Sequence, residues 1–335
     1  MVTVRDIAEK CGVSVATVSK ALNGYGDISP ITADKIRKAA VEMNYIPNSA
    51  AKSLKTNNSH SIGILFIDDM HSGLAHEFFS TLLNAAKTEA ESAGYDLTFI
   101  GQTLAGRIVP YLEHAHSRNL DGVLLVCCDF QSNEIRKLVS GDIPTVSIDY
   151  EFNDSSSVVS DNVEGGYALT HYLISHGHRR IAYIHGELTS VTKMRMIGFN
   201  RAINEANISI GNEYMIESRF HDPTRAAKAT RELMNLPYPP TAIIYPDDYS
   251  YMGGMMELER MHKKIPDDVS TVGYDGIKLS KILQPSLTTW VQNTAEMGSV
   301  SMKKLIEAIE NPKISVPETI TIHGHLQEGN SVRFI

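Results

Sequence analysis

Six carboxylates in this sequence share a position in its pattern. Asp68, Asp69, Asp149, Asp247, Asp248 and Asp275 each follow a short apolar run within a few residues. Such runs read as parallel strands, and in open α/β sheets ligands bind outside the carboxyl ends of the strands. A carboxylate placed there accepts hydrogen bonds from a polar ligand. A second set has a different chemistry. Ser14, Ala16, Thr17, Ser19 and Lys20 fall on the outer face of a short helical stretch, small or polar and without an acid. A helix pressed into a DNA major groove needs that surface, whereas a merely solvated helix usually carries glutamate.

Catalytic constellations are incomplete. GxSxG does not occur. SxxK appears at 49–52 and 190–193 and SDN at 160–162, but no KTG follows, and a β-lactamase site needs all three around one pocket. Gly24-Tyr25-Gly26 begins a GxG with Ser29 where the third glycine would fall, so it is no dinucleotide fingerprint. His114/His116 and His176/His178 lack a Cys or acid partner at metal spacing, and they read as surface or loop histidines. Neither an enzyme, nor a resident metal, nor a cofactor is expected.

The elements that must position these residues fall into two parts. Over residues 1–60 there are 8 Lys/Arg and 5 Asp/Glu, a net +3, and the other 275 residues carry −11. A small basic head on an acidic body suggests that only the head meets a polyanion. The head reads as three helices. Thr3 caps the first, with Val4, Ile7 and Ala8 as its apolar stripe. Gly12 and Ser14 make a turn into the second, Val15 to Leu22, whose inner side would carry Val15, Val18 and Leu22. Ser29-Pro30 opens the third, with Ile31, Ile36, Ala39, Ala40 and Met43 inward. Helix, glycine turn, helix is the helix-turn-helix pattern. Residues 48–57 form a basic linker too short to hold a helix alone.

From Ser61 strands and helices alternate. Strands are expected at 62–67, 97–100, 121–126, 144–148, 180–184, 241–245 and 269–273, and helices at 77–93, 132–140, 162–176, 193–205 and 224–236. Repeated βα units imply parallel sheets, and about 275 residues are too many for one of ordinary size. A 42% apolar content supports a packed core. No apolar run of about 18 residues occurs, and the N-terminus lacks a basic stretch followed by an apolar one. With three cysteines, Cys11, Cys127 and Cys128, a reduced, cytoplasmic protein is expected.

At this point the residues resemble a known family. VRDIAEKCGVSVATVSKALNG and the linker NSAAKSLKTNNSHSIGILF resemble the head and hinge of LacI/GalR-type transcription regulators. The likeness continues through SDNVEGGYALTHYLISHGHRRIAYI, IIYPDDYSYMGG, VSTVGYDG and PSLTTWVQ. It implies a small all-α helix-turn-helix domain plus an α/β body of two doubly wound parallel-sheet subdomains, like the periplasmic sugar-binding proteins. The boundaries follow as 1–47 for the head and 48–60 for the hinge. The body divides into 61–160 plus 292–320, and 161–291 plus 321–335.

The resemblance further implies a homodimeric repressor binding double-stranded DNA at a palindromic operator, with an effector between the two subdomains. Val15, Ala16 and Lys20 match positions that read base edges: Lys20 toward guanine acceptors, Val15 and Ala16 toward thymine methyls. Thr17, Ser19 and Asn23 fall to phosphates, with Thr3 and Ser14 beside them, and Tyr45 and Asn48 match backbone contacts. Leu54 matches a leucine that wedges into the minor groove, flanked by Lys52 and Lys55. In the cleft, Asp275 and Arg195 match an acid that accepts and a guanidinium that donates to effector. Phe79 and Phe220 fall at an aromatic wall, and Asp69, Asp161 and Asp248 near rim or floor, with a helix N-cap an equal alternative for Asp161. His221 and Thr192 sit at pocket-prone positions without matching a subgroup. The implied effector is a carbohydrate, its alternative a co-repressor purine.

Overall fold

The computed structural model describes residues 2–22, 26–45, 58–67 and 73–335. They form two compact units, Met1–Ser59 and His60–Ile335. In the first, α1 (Val4–Cys11), α2 (Val15–Leu22) and α3 (Pro30–Glu42) pack around Ile7, Val18, Ala21, Ile36, Ala39 and Ala40. Their ends are set locally. Thr3 and Asp6 form a capping box in which Asp6 accepts from the Thr3 N–H at 2.7 Å. Gly12 leaves α1 at φ +67°, a left-handed conformation that glycine adopts without steric cost. Ser14 Oγ accepts from the Thr17 N–H at 3.1 Å and starts α2. Two inward assignments are corrected. Val15 is 46% and Ile31 85% exposed, while Ala21 and Ala33 take the buried positions. Val15 and Ile31 stand in the first turns of their helices, where the core does not reach.

The larger unit begins with β1 (Ser61–Phe66), α4 (Glu77–Ser92) and β2 (Asp96–Ile100). A hairpin of β3 (Thr103–Leu104) and β4 (Arg107–Ile108) precedes α5 (Tyr111–Ser117), β5 (Gly122–Cys127), α6 (Asn133–Val139), β6 (Thr145–Ile148) and β7 (Ser156–Ser160). The chain continues through α7 (Asn162–Ser175), β8 (Ile181–His185), α8 (Ser190–Glu205), β9 (Met215–Glu217), α9 (Pro223–Met234) and β10 (Ala242–Ile244). It closes with α10 (Asp248–Arg260), β11 (Ser270–Asp275), α11 (Lys278–Ile282), β12 (Thr288–Val291), α12 (Thr294–Glu310), β13 (Thr319–Ile322) and β14 (His325–Gln327).

The described strands make two six-stranded sheets, in the orders β13-β7-β6-β5-β1-β2 and β14-β12-β11-β10-β8-β9. The first is parallel throughout, and the second takes one antiparallel edge strand, β14 on β12. Central strands such as β5 are apolar and buried because helices cover both faces. The chain passes between sheets after β7, after β12 and after β13. Residues 321 and 322, expected in the second subdomain, complete β13 in the first sheet.

Histidines also depart from expectation. His114 and His178 are buried instead of lying at the surface. His178 Nδ1 meets Thr241 Oγ1 at 3.0 Å and Nε2 meets the Arg333 carbonyl at 3.2 Å, tying the chain terminus to β10's entry. Burial pushes the His178 imidazole down to about 4. The native state therefore holds it neutral while the unfolded chain takes up a proton below about pH 6.5. Stability should fall as pH drops from about 6.5 to about 4, by roughly 3 kcal/mol, and no further from this group below that. Denaturant melts of wild type and His178→Gln at several pH values check this. The variant's profile should be flatter, and equal slopes would sink the assignment.

Candidate functional site

The exposed face of α2 carries Ser14, Val15 and Ala16, with Thr17, Ser19 and Lys20 half-buried beside them. Several of its polar groups are already engaged within the head. Ser14 Oγ and Thr17 Oγ1 lie 2.8 Å apart at the α2 cap, and Thr3 Oγ1 meets Asp6 at 2.8 Å in the α1 cap. Tyr45 packs against the head's core. Lys20 forms an ion pair with Asp27, which any base or phosphate it contacted would have to displace. Both side chains are about half exposed, so the pair itself contributes little. Asp27→Asn should then raise DNA affinity severalfold and steepen its salt dependence, since one opposing charge is gone. Equal affinity in a fluorescence-anisotropy titration would exclude Lys20 from the DNA-facing set. Asn23, Asn48, Lys52, Leu54 and Lys55 lie outside the described residues, as do Asp68 and Asp69.

In the larger unit a cavity of about 730 Å³ lies at the carboxyl ends of strands from both sheets. Phe79, Phe130, Asp149 and Tyr150 line it from the first sheet's side, and Arg195, Phe220, His221 and Asp275 from the second's. Asp275 ends β11 at φ +103°, a conformation an aspartate holds only when its surroundings enforce it. Its Oδ1 accepts from Gln292 Nε2 at 2.7 Å. Burial pushes its carboxyl up to about 6, against the opposing pull of Arg195. Asp149 follows β6 directly, at φ +57°. Its Oδ1 accepts from the Ser160 N–H at 2.8 Å, and burial raises its carboxyl.

Arg195 reaches the cavity from α8. Nε donates to Asn162 Oδ1 at 2.9 Å and Nη1 to the Pro246 carbonyl at 2.8 Å. Its guanidinium carbon lies 3.4 Å from the Tyr274 ring centroid and 5.5 Å from that of Phe220. Two hydrogen bonds and two ring faces thus pin a flat cation in a buried place. On the opposite wall, Phe130 and Tyr150 stack with centroids 4.8 Å apart. Phe79 meets Phe66 edge-on at 4.8 Å. The cavity therefore offers flat apolar faces and a few fixed polar groups, the makeup of a small-molecule site.

Two expected ligand residues are elsewhere. Asp161 caps α7, accepting from the Glu164 N–H at 3.3 Å, and its other oxygen lies 2.8 Å from His323 Nδ1. Asp248 sits beneath β11, where it accepts from Thr289 Oγ1 at 2.6 Å and from the Ile277 N–H at 3.0 Å. Burial raises its carboxyl well above the ordinary range, with Asp275 adding to the push. Neither lines the cavity. Conversely, Asp149, which the strand-end rule singles out, lines the cavity. Gln292, which follows β12 directly, also lines it, and the sequence hides it because the mixed run Thr288–Val291 does not declare a strand. Thr192 is also internal, its hydroxyl donating to the Glu187 carbonyl at 2.6 Å.

Comparison with known proteins agrees with this layout. Residues 3–48 match the model for bacterial regulatory proteins of the lacI family, and residues 170–332 match a periplasmic binding protein-like domain. The HTH-type transcriptional repressor PurR of Vibrio vulnificus is 32% identical over 317 residues, 93% of each chain. That of Mannheimia succiniciproducens is 31% identical over 341 aligned positions, the full length of both. Among solved structures, the lac repressor dimer bound to operator and the anti-inducer ONPF superposes with TM-score 0.81 at 23% identity over 99% of each chain. The CelR–cellobiose complex superposes with TM-score 0.73 at 23% identity, covering 99% of this chain and all of that one. Among the described residues, no helix is long and apolar enough to cross a membrane.

Proposed function

We propose, since the chain belongs to the lacI family of bacterial regulatory proteins and is a DNA-binding transcriptional repressor rather than an enzyme, that its cleft takes a flat heteroaromatic metabolite of the purine class. One observation carries this reading: both walls of the cavity end in aromatic surfaces, Phe79 and the Phe130–Tyr150 stack on one side and Phe220 on the other. A planar base gains most between such faces, while Asp149 and Asp275 supply acceptors for its edge N–H groups. The full-length relatives designated PurR support the same choice. The sugar implied by the family resemblance has less support. Two of the carboxylates expected to hold its hydroxyls, Asp161 and Asp248, are spent on internal hydrogen bonds.

Two copies of the chain would read a palindromic operator, each through the exposed face of α2. Lys20 addresses guanine acceptors, Val15 and Ala16 thymine methyls, and Leu54 the central minor-groove step. Ligand and operator are then linked reciprocally. Whatever factor the ligand changes operator affinity by, operator changes ligand affinity by the same factor. Calorimetric titration with hypoxanthine, guanine, adenine and a panel of mono- and disaccharides tests the assignment. Purine binding that shifts operator affinity supports it, and a response to sugar alone would overturn it. Operator affinity should also fall steeply with salt as phosphate contacts release counterions.

A further inference from the structure

Beside the cavity lie two histidines and an aspartate, of which His221 and Asp275 line it and Asp275 alone enters the ligand reading. His76, His221 and Asp275 each place one donor atom within 4.8 Å of the others. His76 precedes α4 at its N-cap, and its ring faces His221, with centroids 3.9 Å apart, instead of capping the helix. His221 lies between β9 and α9 at φ +57°, and Asp275 ends β11. One donor therefore comes from the half built on the first sheet and two from the half built on the second.

Each of the two donors from the second half is held by a further group. His221 Nδ1 lies 3.7 Å from the buried Asp247 carboxylate, which also accepts from the His221 backbone N–H at 2.9 Å. Asp275 is held by Gln292 at 2.7 Å. Carboxylate behind imidazole and amide behind carboxylate are the outer contacts that orient metal ligands. The Phe79 ring lies 5.5 Å from His76 and 5.7 Å from His221, an apolar side that strengthens any charge interaction within.

We propose that His76, His221 and Asp275 bind a divalent cation of the Zn²⁺ class, joining the two halves of the body and leaving one coordination position open to the cavity. Two imidazoles, one carboxylate and an open position form a donor set that suits zinc. Bonds of about 2.0–2.1 Å in tetrahedral geometry require donors roughly 3.3 Å apart. The metal would therefore draw the donor atoms together by up to about 1.5 Å and favour the closed cleft. The inference rests on the ligand reading for what fills the open position; with the metal bound, Asp275 serves as a metal ligand and Asp149 remains the acceptor for the purine edge.

The test uses full-length protein stripped with a chelator and titrated with Co²⁺. One equivalent per chain should produce the visible absorption of four-coordinate Co²⁺, and Zn²⁺ should displace it. His76→Gln and His221→Gln should each weaken Co²⁺ binding at least tenfold, and the double variant should lose the band. No band at one equivalent, or an unchanged band in the double variant, would overturn the site. X-ray absorption at the zinc edge of the wild-type protein reads the donor set without any variant: two imidazoles support the site, and one or none overturns it. Purine titration of the chelator-treated protein tests the ligand reading separately, so either proposal can fail alone.

Discussion

Arg195→Ala should lower ligand affinity about a hundredfold or more and destabilise the body by roughly 2–4 kcal/mol. The side chain is 4% exposed and does two jobs. It presents a fixed cation to the cavity, and it satisfies Asn162 and the Pro246 carbonyl in a region closed to water. Removing it strands the Pro246 carbonyl, leaves Asn162 Oδ1 with only a long bond from Tyr274 Oη at 3.4 Å, and takes away the charge that holds down the carboxyls of Asp149 and Asp275. Lysine is no substitute. A point charge cannot lie flat on Tyr274 while donating in two fixed directions. Calorimetry and denaturant melts of Arg195→Ala and Arg195→Lys measure both effects. Wild-type affinity in either variant would remove Arg195 from the binding machinery.

Gly198→Ala should cost about 3 kcal/mol or more and weaken ligand binding with it. A Cβ at position 198 would stand 2.0 Å from the Val163 carbonyl oxygen and 2.6 Å from the Tyr167 nitrogen. At Gly166, on the facing helix, it would stand 2.2 Å from the Arg195 carbonyl oxygen. Helices α7 and α8 thus cross backbone against backbone, and neither crossing point tolerates a side chain without separating them. Arg195 lies one turn before Gly198, so the same separation withdraws it from the cavity. A denaturant midpoint equal to wild type would show that the crossing yields at little cost.

The residues that were legible owe their places to short-range physics. Thr3 with Asp6 and Ser29 with Thr32 mark helix starts through hydrogen bonds three residues apart, and Pro30 sits in the first turn behind Ser29. The apolar run at Ile62 declares a buried strand by itself. Helix α10 was not foreseen because Gly253 and Gly254 weaken its propensity. Those glycines are explained only by tertiary packing, since a Cβ at 253 would lie 1.8 Å from the Pro223 carbonyl oxygen in α9 and one at 254 would lie 2.3 Å from the Tyr245 ring that follows β10. Strand β7, reading Ser-Ser-Val-Val-Ser, is too polar to stand out and exists through pairing with β6 and β13.

The same division runs through the site. The chain alone determined that an α2-like surface free of acids exists, that carboxylates gather at strand ends, and that a basic head joins an acidic body. Which carboxylates face a ligand was decided elsewhere. Asp275 and Asp149 open onto the cavity while Asp248 and Asp161, equally suggestive by position, turn to Thr289 and to the start of α7. Asp161 has a local bond from the Glu164 N–H, but its other oxygen meets His323, 162 residues on, and Asp248 accepts from Thr289, 41 residues on. Those partners become neighbours only when the two sheets close around one cleft.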